Sequence, residues 1–280
     1  MLSEIENSAL NDNVVAALVE DLRDGDLTAQ LIPAGSVGHA RVITRQDAVV
    51  CGAPWFEACF RALDADCRVV WQVEEGGYAH ANQILCELHG DARALLSAER
   101  PALNFLQTLS ATATLTSRYV EAVAGTGAQI LDTRKTLPGL RLAQKYAVRV
   151  GGGKNQRVGL YDGILIKENH ILAAGGIRPA LQQAFALAHP GVTVQVEVES
   201  LDELREALDA GAKLILLDNF DPDGMRAAVA LAGDRAELEA SGGVNLDSVR
   251  AIAETGVHRI SVGGLTKDVQ AVDLSMRFEG

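Results

Sequence analysis

Eight basic residues (Arg134, Lys135, Arg141, Lys145, Arg149, Lys154, Arg157 and Lys167) fall within one stretch that contains a single acid, Asp162. The whole chain carries a formal charge of −12. A local excess of cations in an acidic protein calls for a reason, and a small polyanionic ligand supplies one. Arginine offers a planar fork that pairs with a carboxylate through two hydrogen bonds, whereas lysine acts as a point charge. Farther along come the carboxylates Glu197, Glu199 and Asp218, then two glycine turns, Ser241-Gly242-Gly243 and Gly263-Gly264. Glu197 and Asp218 could bind Mg²⁺ directly or through water, or hold ribose hydroxyls. A turn without Cβ lets backbone N–H groups approach phosphate oxygens, and Ser241 could add a hydroxyl donor.

Several of these residues have plainer readings. Arg141, Lys145 and Arg149 recur every four residues, which one solvated helix face explains. Gly151-Gly152-Gly153 has neither Walker nor dinucleotide spacing and reads as a helix C-cap and loop. Lys154, in that loop, stays open. His170 is at least as well explained by structure as by acid–base work. Glu199 either points away from Glu197 or caps the following helix with Ser200. Lys167 at a strand end could bind an anion or act as a Schiff-base nucleophile.

The elements that must position these groups change character near residue 110. Helical periodicity over Asn13–Arg23 precedes short β-rich pieces at His39–Thr44, Arg68–Val73 and Ile84–Leu88. A helix is expected from Asp91 and a longer one after Pro101, a residue suited to a helix start. Beyond it a strand–loop–helix rhythm predicts strands at Ala128–Leu131, Gly163–Ile166, Thr193–Val198, Lys213–Leu217, Ala236–Glu239 and Arg259–Val262. Helices are predicted at Pro179–Ala188, Leu201–Ala210, Asp223–Leu231 and Leu246–Glu254. Repeated βα units imply a parallel sheet whose strand ends collect function. Six strands fall short of a closed barrel. The expected fold is therefore α/β: an N-terminal α/β sandwich over residues 1–112 and an irregular, incomplete α/β barrel over 113–270. An open doubly wound sheet is the alternative. The alternating Val272, Leu274, Met276 and Phe278 suggest that 271–280 return as a strand to the first domain.

The 280 residues are 48% apolar and 22% charged, the balance of a globular chain. The negative net charge disfavours nucleic-acid and membrane-surface binding. No basic leader with an apolar run, and no apolar stretch of membrane-spanning length, is visible, so a cytoplasmic protein is expected. Cys51, Cys59, Cys67 and Cys86 lack metal-knuckle spacing and read as free thiols.

The motifs together are more specific than any alone. DTRKTLPGLRLAQK (Asp132–Lys145), GGGKNQR (Gly151–Arg157), LIKENH (Leu165–His170), EVE (Glu197–Glu199), LLDN (Leu216–Asn219), ASGG (Ala240–Gly243) and SVGGLT (Ser261–Thr266) follow one another along the chain. With TRQDAVVCG (Thr44–Gly52) and ERPALNFLQ (Glu99–Gln107), this series resembles the quinolinate phosphoribosyltransferase family. The resemblance implies transfer of phosphoribosyl from phosphoribosyl pyrophosphate to quinolinate, with decarboxylation and with Mg²⁺. It also implies a homodimer with shared active sites. Arg100, Arg134, Arg157 and Lys167 would hold the quinolinate carboxylates, with Arg45 arriving from the neighbouring subunit. Lys135, Glu197 and Asp218 would attend the ribose, pyrophosphate and metal. Ser241, Gly242, Gly243, Gly263 and Gly264 would cradle the 5′-phosphate. Family members commonly carry NHR where this chain has Asn155-Gln156-Arg157. Gln156 can hydrogen-bond a substrate carboxylate but cannot carry a proton or a charge. The alternatives are a related transferase for another anionic acceptor, a Schiff-base lyase using Lys167, and a non-catalytic phosphosugar-binding protein.

Overall fold

The computed structural model describes residues 2–279. It divides into two units: the chain through Ser117 with Thr136–Gly152 and the residues from Asp268 onward, and Arg118–Lys135 with Gly153–Lys267. The 112/113 boundary falls inside a helix, and part of the basic stretch groups with the first unit.

In chain order the first unit holds α1 (Glu4–Leu22), β1 (Val37–Thr44), β2 (Ala48–Val49), α2 (Ala53–Leu63), β3 (Arg68–Trp71), β4 (Tyr78–Ala79), β5 (Ile84–Asp91) and most of α3 (Ala92–Ala122). After β6 (Gln129–Leu131) in the second unit, α4 (Arg141–Val150) belongs again to the first. The second unit continues with β7 (Gly163–Ile166), α5 (Glu168–Ala174), α6 (Ile177–Leu187), β8 (Thr193–Val198), α7 (Leu201–Asp209) and β9 (Leu214–Asp218). It ends with α8 (Pro222–Ala232), β10 (Glu237–Ser241), α9 (Val249–Ala253), β11 (Arg259–Ser261) and α10 (Gly264–Lys267). β12 (Leu274–Phe278) is part of the first unit.

The first unit is built on a four-stranded sheet of order β12-β1-β5-β3. Its strands pair antiparallel, with Ala40 opposite Phe278 and His39 opposite His89. Alternation on β1 buries Ala40 and Val42 completely. They join a core with Leu10, Val14 and Leu18 of α1, Trp55, Phe56, Cys59 and Phe60 of α2, and Leu95, Leu106 and Leu109 of α3. α1 starts nine residues before the expected Asn13. Ser3 accepts from the Glu6 backbone and the Glu6 carboxylate accepts from the Ser3 backbone, a capping box that the apolar periodicity does not reveal.

Two expectations for helices fail. Pro101 does not start a helix but lies inside α3. A proline removes one backbone donor from the helix ladder, and the burial of Ala98, Ala102, Leu103 and Leu106 around it offsets that loss. Lys145 is not on a solvated face. It is 1% exposed, within an unbroken buried run from Ala143 to Val148. Four-residue spacing says which residues share a face, not which way that face looks.

The second unit is a parallel sheet of order β6-β11-β10-β9-β8-β7. All six predicted strands are present within two residues at either end. β6 and β7 are the two ends of that order, so the barrel is not closed. Lys154 makes a single parallel bridge with Leu131 beside β6.

The four cysteines are buried and free. Burial pushes the Cys67 thiol up to about 11 and Cys59 to about 12, and raises Cys51 and Cys86 as well, so none is poised to react. Among the described residues no helix is long and apolar enough to cross a membrane.

Gly151 caps α4 where it passes α3. A Cβ there would overlap the Ala113 carbonyl oxygen and lie 2.7 Å from the Thr116 Cβ. Gly151→Ala should therefore destabilise the protein by about 1–3 kcal/mol in urea denaturation; an unchanged midpoint would show that α4 can move away freely.

Candidate active site

In a parallel sheet every strand delivers its C-terminal residue to the same edge. The register aligns Glu197 with Leu216, Ser241 with Asp218, and Ser261 with Leu131. Asp218 lies two residues beyond Leu216, so its side chain leaves the same face of the sheet as that of Glu197.

Lys167, the residue after β7, places its Nζ 3.0 Å from Glu197 Oε2. Lys167 is half exposed while Glu197 is largely covered. Glu199 lies just past the end of β8, and being two residues beyond Glu197 it is not turned to the opposite face by alternation, contrary to expectation. Partial desolvation and the like charges of Glu168, Glu203, Asp218 and Glu197 hold its carboxyl above the usual range. Its backbone N–H donates to the Glu203 carboxylate, while Ser200 caps α7. The His170 imidazole accepts the backbone N–H of Lys167 through Nδ1, which fits the structural reading of that histidine.

The turns after β9 and β10 are interlocked. Asn219 takes a left-handed conformation (φ 57°) and donates its side-chain amide to Asp218 at 3.0 Å and its backbone N–H to the Ser241 carbonyl. Gly242 has φ 102°, and a Cβ there would overlap the Asn219 side-chain oxygen. Glycine is required at that position on both counts. At the other turn, a Cβ on Gly263 would lie 3.1 Å from the Lys135 side chain, so Lys135 runs across that glycine. Lys135 is held from both sides of its peptide. Its N–H donates to Thr133 Oγ1 at 3.0 Å, and its carbonyl accepts from Thr266 Oγ1 at 2.7 Å. Gly264 begins α10.

The arginines form another grouping. Arg157 donates to the Gly163 carbonyl at 3.0 Å. Burial and the neighbouring positive charge of Arg134 lower its pKa, against the attraction of Asp162. Arg157 therefore feels positive charge from Arg134 in a partly buried place, and a further anion bound there would lower that repulsion. The segment carrying Arg157 is fastened by Asp132, which is fully buried and accepts from Asn155 Nδ2 at 2.6 Å and from the Gln156 backbone at 2.9 Å.

Gln156 is bonded to neighbouring protein groups. Its amide nitrogen donates to Gln195 at 2.7 Å and to the Glu239 carboxylate at 3.1 Å, and its oxygen accepts the Arg157 backbone N–H. These bonds turn it into the sheet's interior. Gln195 also donates to Glu239, which is 1% exposed and has Arg259 at 3.5 Å. Asp132, Asn155, Gln195 and Glu239 were not singled out in the sequence. Other polar residues share their strands, Thr193 and Glu197 on β8 and Glu237 and Ser241 on β10, so the sequence alone does not single them out.

The structure thus brings together Lys167 with Glu197, Asp218 with the Ser241–Gly242 turn, Lys135 with Gly263, and Arg134 with Arg157, all in the second unit. Arg45 and Arg100 lie in the first. Arg45 follows β1, its N–H bonded to the Asp273 carbonyl, and Arg100 is exposed on α3 beside Glu99. Gly243, in the left-handed region, has open space around it.

Two family models cover nearly all of this chain: the quinolinate phosphoribosyl transferase N-terminal domain over residues 26–110 and its C-terminal domain over residues 112–277. The chain belongs to the quinolinate phosphoribosyltransferase family. It is 43% identical over 258 residues to a probable carboxylating nicotinate-nucleotide pyrophosphorylase of Bacillus subtilis, covering 92% of this chain and 89% of that one. The Mycobacterium leprae carboxylating nicotinate-nucleotide pyrophosphorylase is 43% identical, with 99% of both chains covered. The solved nicotinate-nucleotide pyrophosphorylase from Francisella tularensis superposes with a TM-score of 0.94 at 44% identity, covering 98% of this chain and 97% of that one. For a quinolinate phosphoribosyltransferase family member, the mixed α/β architecture with an unclosed parallel barrel is the expected one.

Asp132 supplies the test of how the arginine segment is held. Asp132→Ala removes the acceptor of two donors, each worth about 1–3 kcal/mol when left buried and unsatisfied. Backbone amides over 154–158 should then exchange faster in hydrogen–deuterium exchange while the β9 and β10 amides keep their protection; equal protection throughout would mean that Gln156 alone holds the segment.

Proposed function

We propose that this protein transfers the phosphoribosyl group of phosphoribosyl pyrophosphate to quinolinate, with decarboxylation, giving nicotinate mononucleotide, pyrophosphate and carbon dioxide in NAD biosynthesis. The observation that carries the reading is the gathering of positive charge in the second unit, with Arg157 feeling the charge of Arg134 and with Lys167 at the end of β7. An acceptor with two carboxylates matches that charge through bidentate pairing. The ion pair of Lys167 with Glu197 suits anion binding better than a desolvated nucleophilic amine, which weakens the Schiff-base alternative.

The remaining groups take the sugar donor. Ser241, Gly242, Gly243, Gly263 and Gly264 would receive the 5′-phosphate through backbone donors. Lys135, laid across Gly263, would meet the pyrophosphate. The carboxylates Glu197 and Asp218, on one sheet face with Glu199 and Glu168 nearby, are a donor set of hard oxygens that fits Mg²⁺. They would hold it directly or through water, and when bound it neutralises charge on the departing pyrophosphate. As the pyridine nitrogen attacks the anomeric carbon, positive charge grows on the ribose, and the same carboxylates oppose it. When the adjacent carboxylate leaves as carbon dioxide, its electron pair stays on the ring carbon beside the positively charged nitrogen, which stabilises it, and a proton from water then forms the C–H bond of the product. Positioning and electrostatics do the work, with no covalent enzyme intermediate required. Gln156, bonded into the interior, takes no proton in this scheme. The reading also includes a cytoplasmic homodimer in which Arg45 of one protomer completes the partner's site, with Arg100 among the carboxylate ligands.

Incubation with phosphoribosyl pyrophosphate, Mg²⁺ and quinolinate should yield nicotinate mononucleotide and carbon dioxide in equal amounts, and nicotinate should yield neither. Turnover of nicotinate, or no product from a folded protein that binds the sugar donor, would mean that the acceptor is another anion. Arg134→Ala and Lys167→Ala should each lower kcat/KM about 10- to 100-fold, the worth of one charge-assisted contact, without lowering Tm.

Shared sites predict complementation. If Arg45→Ala and Lys167→Ala are each inactive, an equal mixture, unfolded and refolded together, should recover about a quarter of the wild-type activity, because hybrids contain one site with neither change. A mixture as inactive as its parts would show that each site is built from one chain.

A further inference from the structure

A second constellation of ligating side chains stands in the first unit, on residues that the phosphoribosyl chemistry does not use. The β1–β5 register sets His39 directly opposite His89 and Arg41 opposite Glu87. His39, Glu87 and His89 therefore share the sheet face opposite to the buried Ala40 and Val42. One nitrogen from each imidazole and one Glu87 oxygen all lie within 4.8 Å of one another. The two rings are stacked, 4.1 Å apart and 11° from parallel.

The partners of His39 decide what this group can bind. Its Nδ1 lies 3.2 Å from Glu279 Oε2, and Glu279 is held in turn by Arg41 at 2.8 Å and by its own N–H on the His39 carbonyl. A carboxylate on Nδ1 favours the tautomer with its proton there, which leaves the lone pair on Nε2. That Nε2 is buried and makes no hydrogen bond, and it faces Glu87 Oε2 at 3.8 Å. The gap is too long for a hydrogen bond. A lone pair facing a carboxylate is unfavourable unless something positive stands between them. Metal–nitrogen and metal–oxygen bonds of about 2.0–2.2 Å span such a gap with one ion.

We propose that His39, His89 and Glu87 form a site for a borderline divalent transition metal of the zinc class, with Glu279 as the outer carboxylate that orients His39. Two imidazoles and one carboxylate make a three-ligand set that leaves a fourth position to water. Parallel stacked rings do not aim their lone pairs at one point, so one ring must turn. His89 is the exposed member and has the room to do so. Arg68 of β3, paired with His89, and Arg41 of β1, opposite Glu87, are cations the ion would have to tolerate. Bound there, the ion ties β1 to β5. The site's existence is independent of the reaction proposed above.

The full-length chain, stripped with chelator, should bind one Zn²⁺ per protomer by calorimetry and gain thermal stability, and millimolar Mg²⁺ should not displace the ion. Co²⁺ should give the visible absorption of a tetrahedral site. His89→Ala and Glu87→Gln should abolish both signals, and Glu279→Ala should weaken binding about 10- to 100-fold. Asp218→Asn, which alters the other carboxylate cluster, should leave Zn²⁺ binding unchanged. His89 is exposed, so its replacement tests the site without endangering the fold. Absence of binding at 100-fold molar excess of Zn²⁺, or binding lost in Asp218→Asn but kept in His89→Ala, would overturn the proposal.

Discussion

The barrel of the second unit does not close, and the structure depends on how that opening is filled. No ladder joins β6 to β7. Beside β6 the chain makes one bridge at Lys154, and the next three residues are then fixed by side chains rather than by strand pairing. Asp132 holds Asn155 and the Gln156 backbone, while the Gln156 side chain reaches Gln195 and Glu239. A continuous strand would have given the same fixation through backbone bonds alone. It would also have forced successive side chains to alternate between the two faces. Side-chain anchoring frees Arg157 from that alternation, and Arg157 is the residue that feels the charge of Arg134.

That anchoring explains how a strongly acidic protein keeps cations crowded together. Like charges in a partly buried place raise the free energy of the ligand-free protein, and loose side chains would simply swing apart into water. Arg157 cannot move away without losing its bond to the Gly163 carbonyl. The carboxylates are distributed by the opposite logic. Glu197 is already paired with Lys167, whereas desolvation and the like charges around Glu199 hold its carboxyl above the usual range. Positive charge thus gathers around Arg134 and Arg157, and negative charge around Glu199. Under the proposed function a dicarboxylate would answer the first and a metal-bound pyrophosphate the second.

The strands of the second unit were legible because buried parallel strands are short apolar runs bounded by turns, and the groups at their ends could be read off directly. What periodicity could not supply was direction. Arg141, Lys145 and Arg149 do share a helix, but the run Ala143–Val148 is buried, so the spacing could not tell core from solvent. Pro101 was read by its local preference for a first turn, and the packing of its neighbours overrode that preference. The start of α1 was missed because its signal is a reciprocal pair of hydrogen bonds, Ser3 with Glu6, and not an apolar stripe. Glu239 and Gln195 were missed because pairing across strands, invisible along the chain, is what makes two buried polar residues partners.

Gln156 shows why a match of motifs does not transfer every role. At the position where the family pattern suggests a histidine, the present amide makes three kinds of bond at once: to Gln195, to Glu239 and from the Arg157 backbone. A neutral imidazole has one donor and one acceptor and could not meet all three. An imidazolium could donate twice, yet it would leave the Arg157 N–H without its acceptor. The amide is therefore matched to a network whose far end is a buried carboxylate, and its neutrality keeps a third positive charge away from Arg134 and Arg157. Under the proposed function the arginines and Lys167 would set acceptor selectivity, and Gln156 would act on Arg157 through the segment it holds in place.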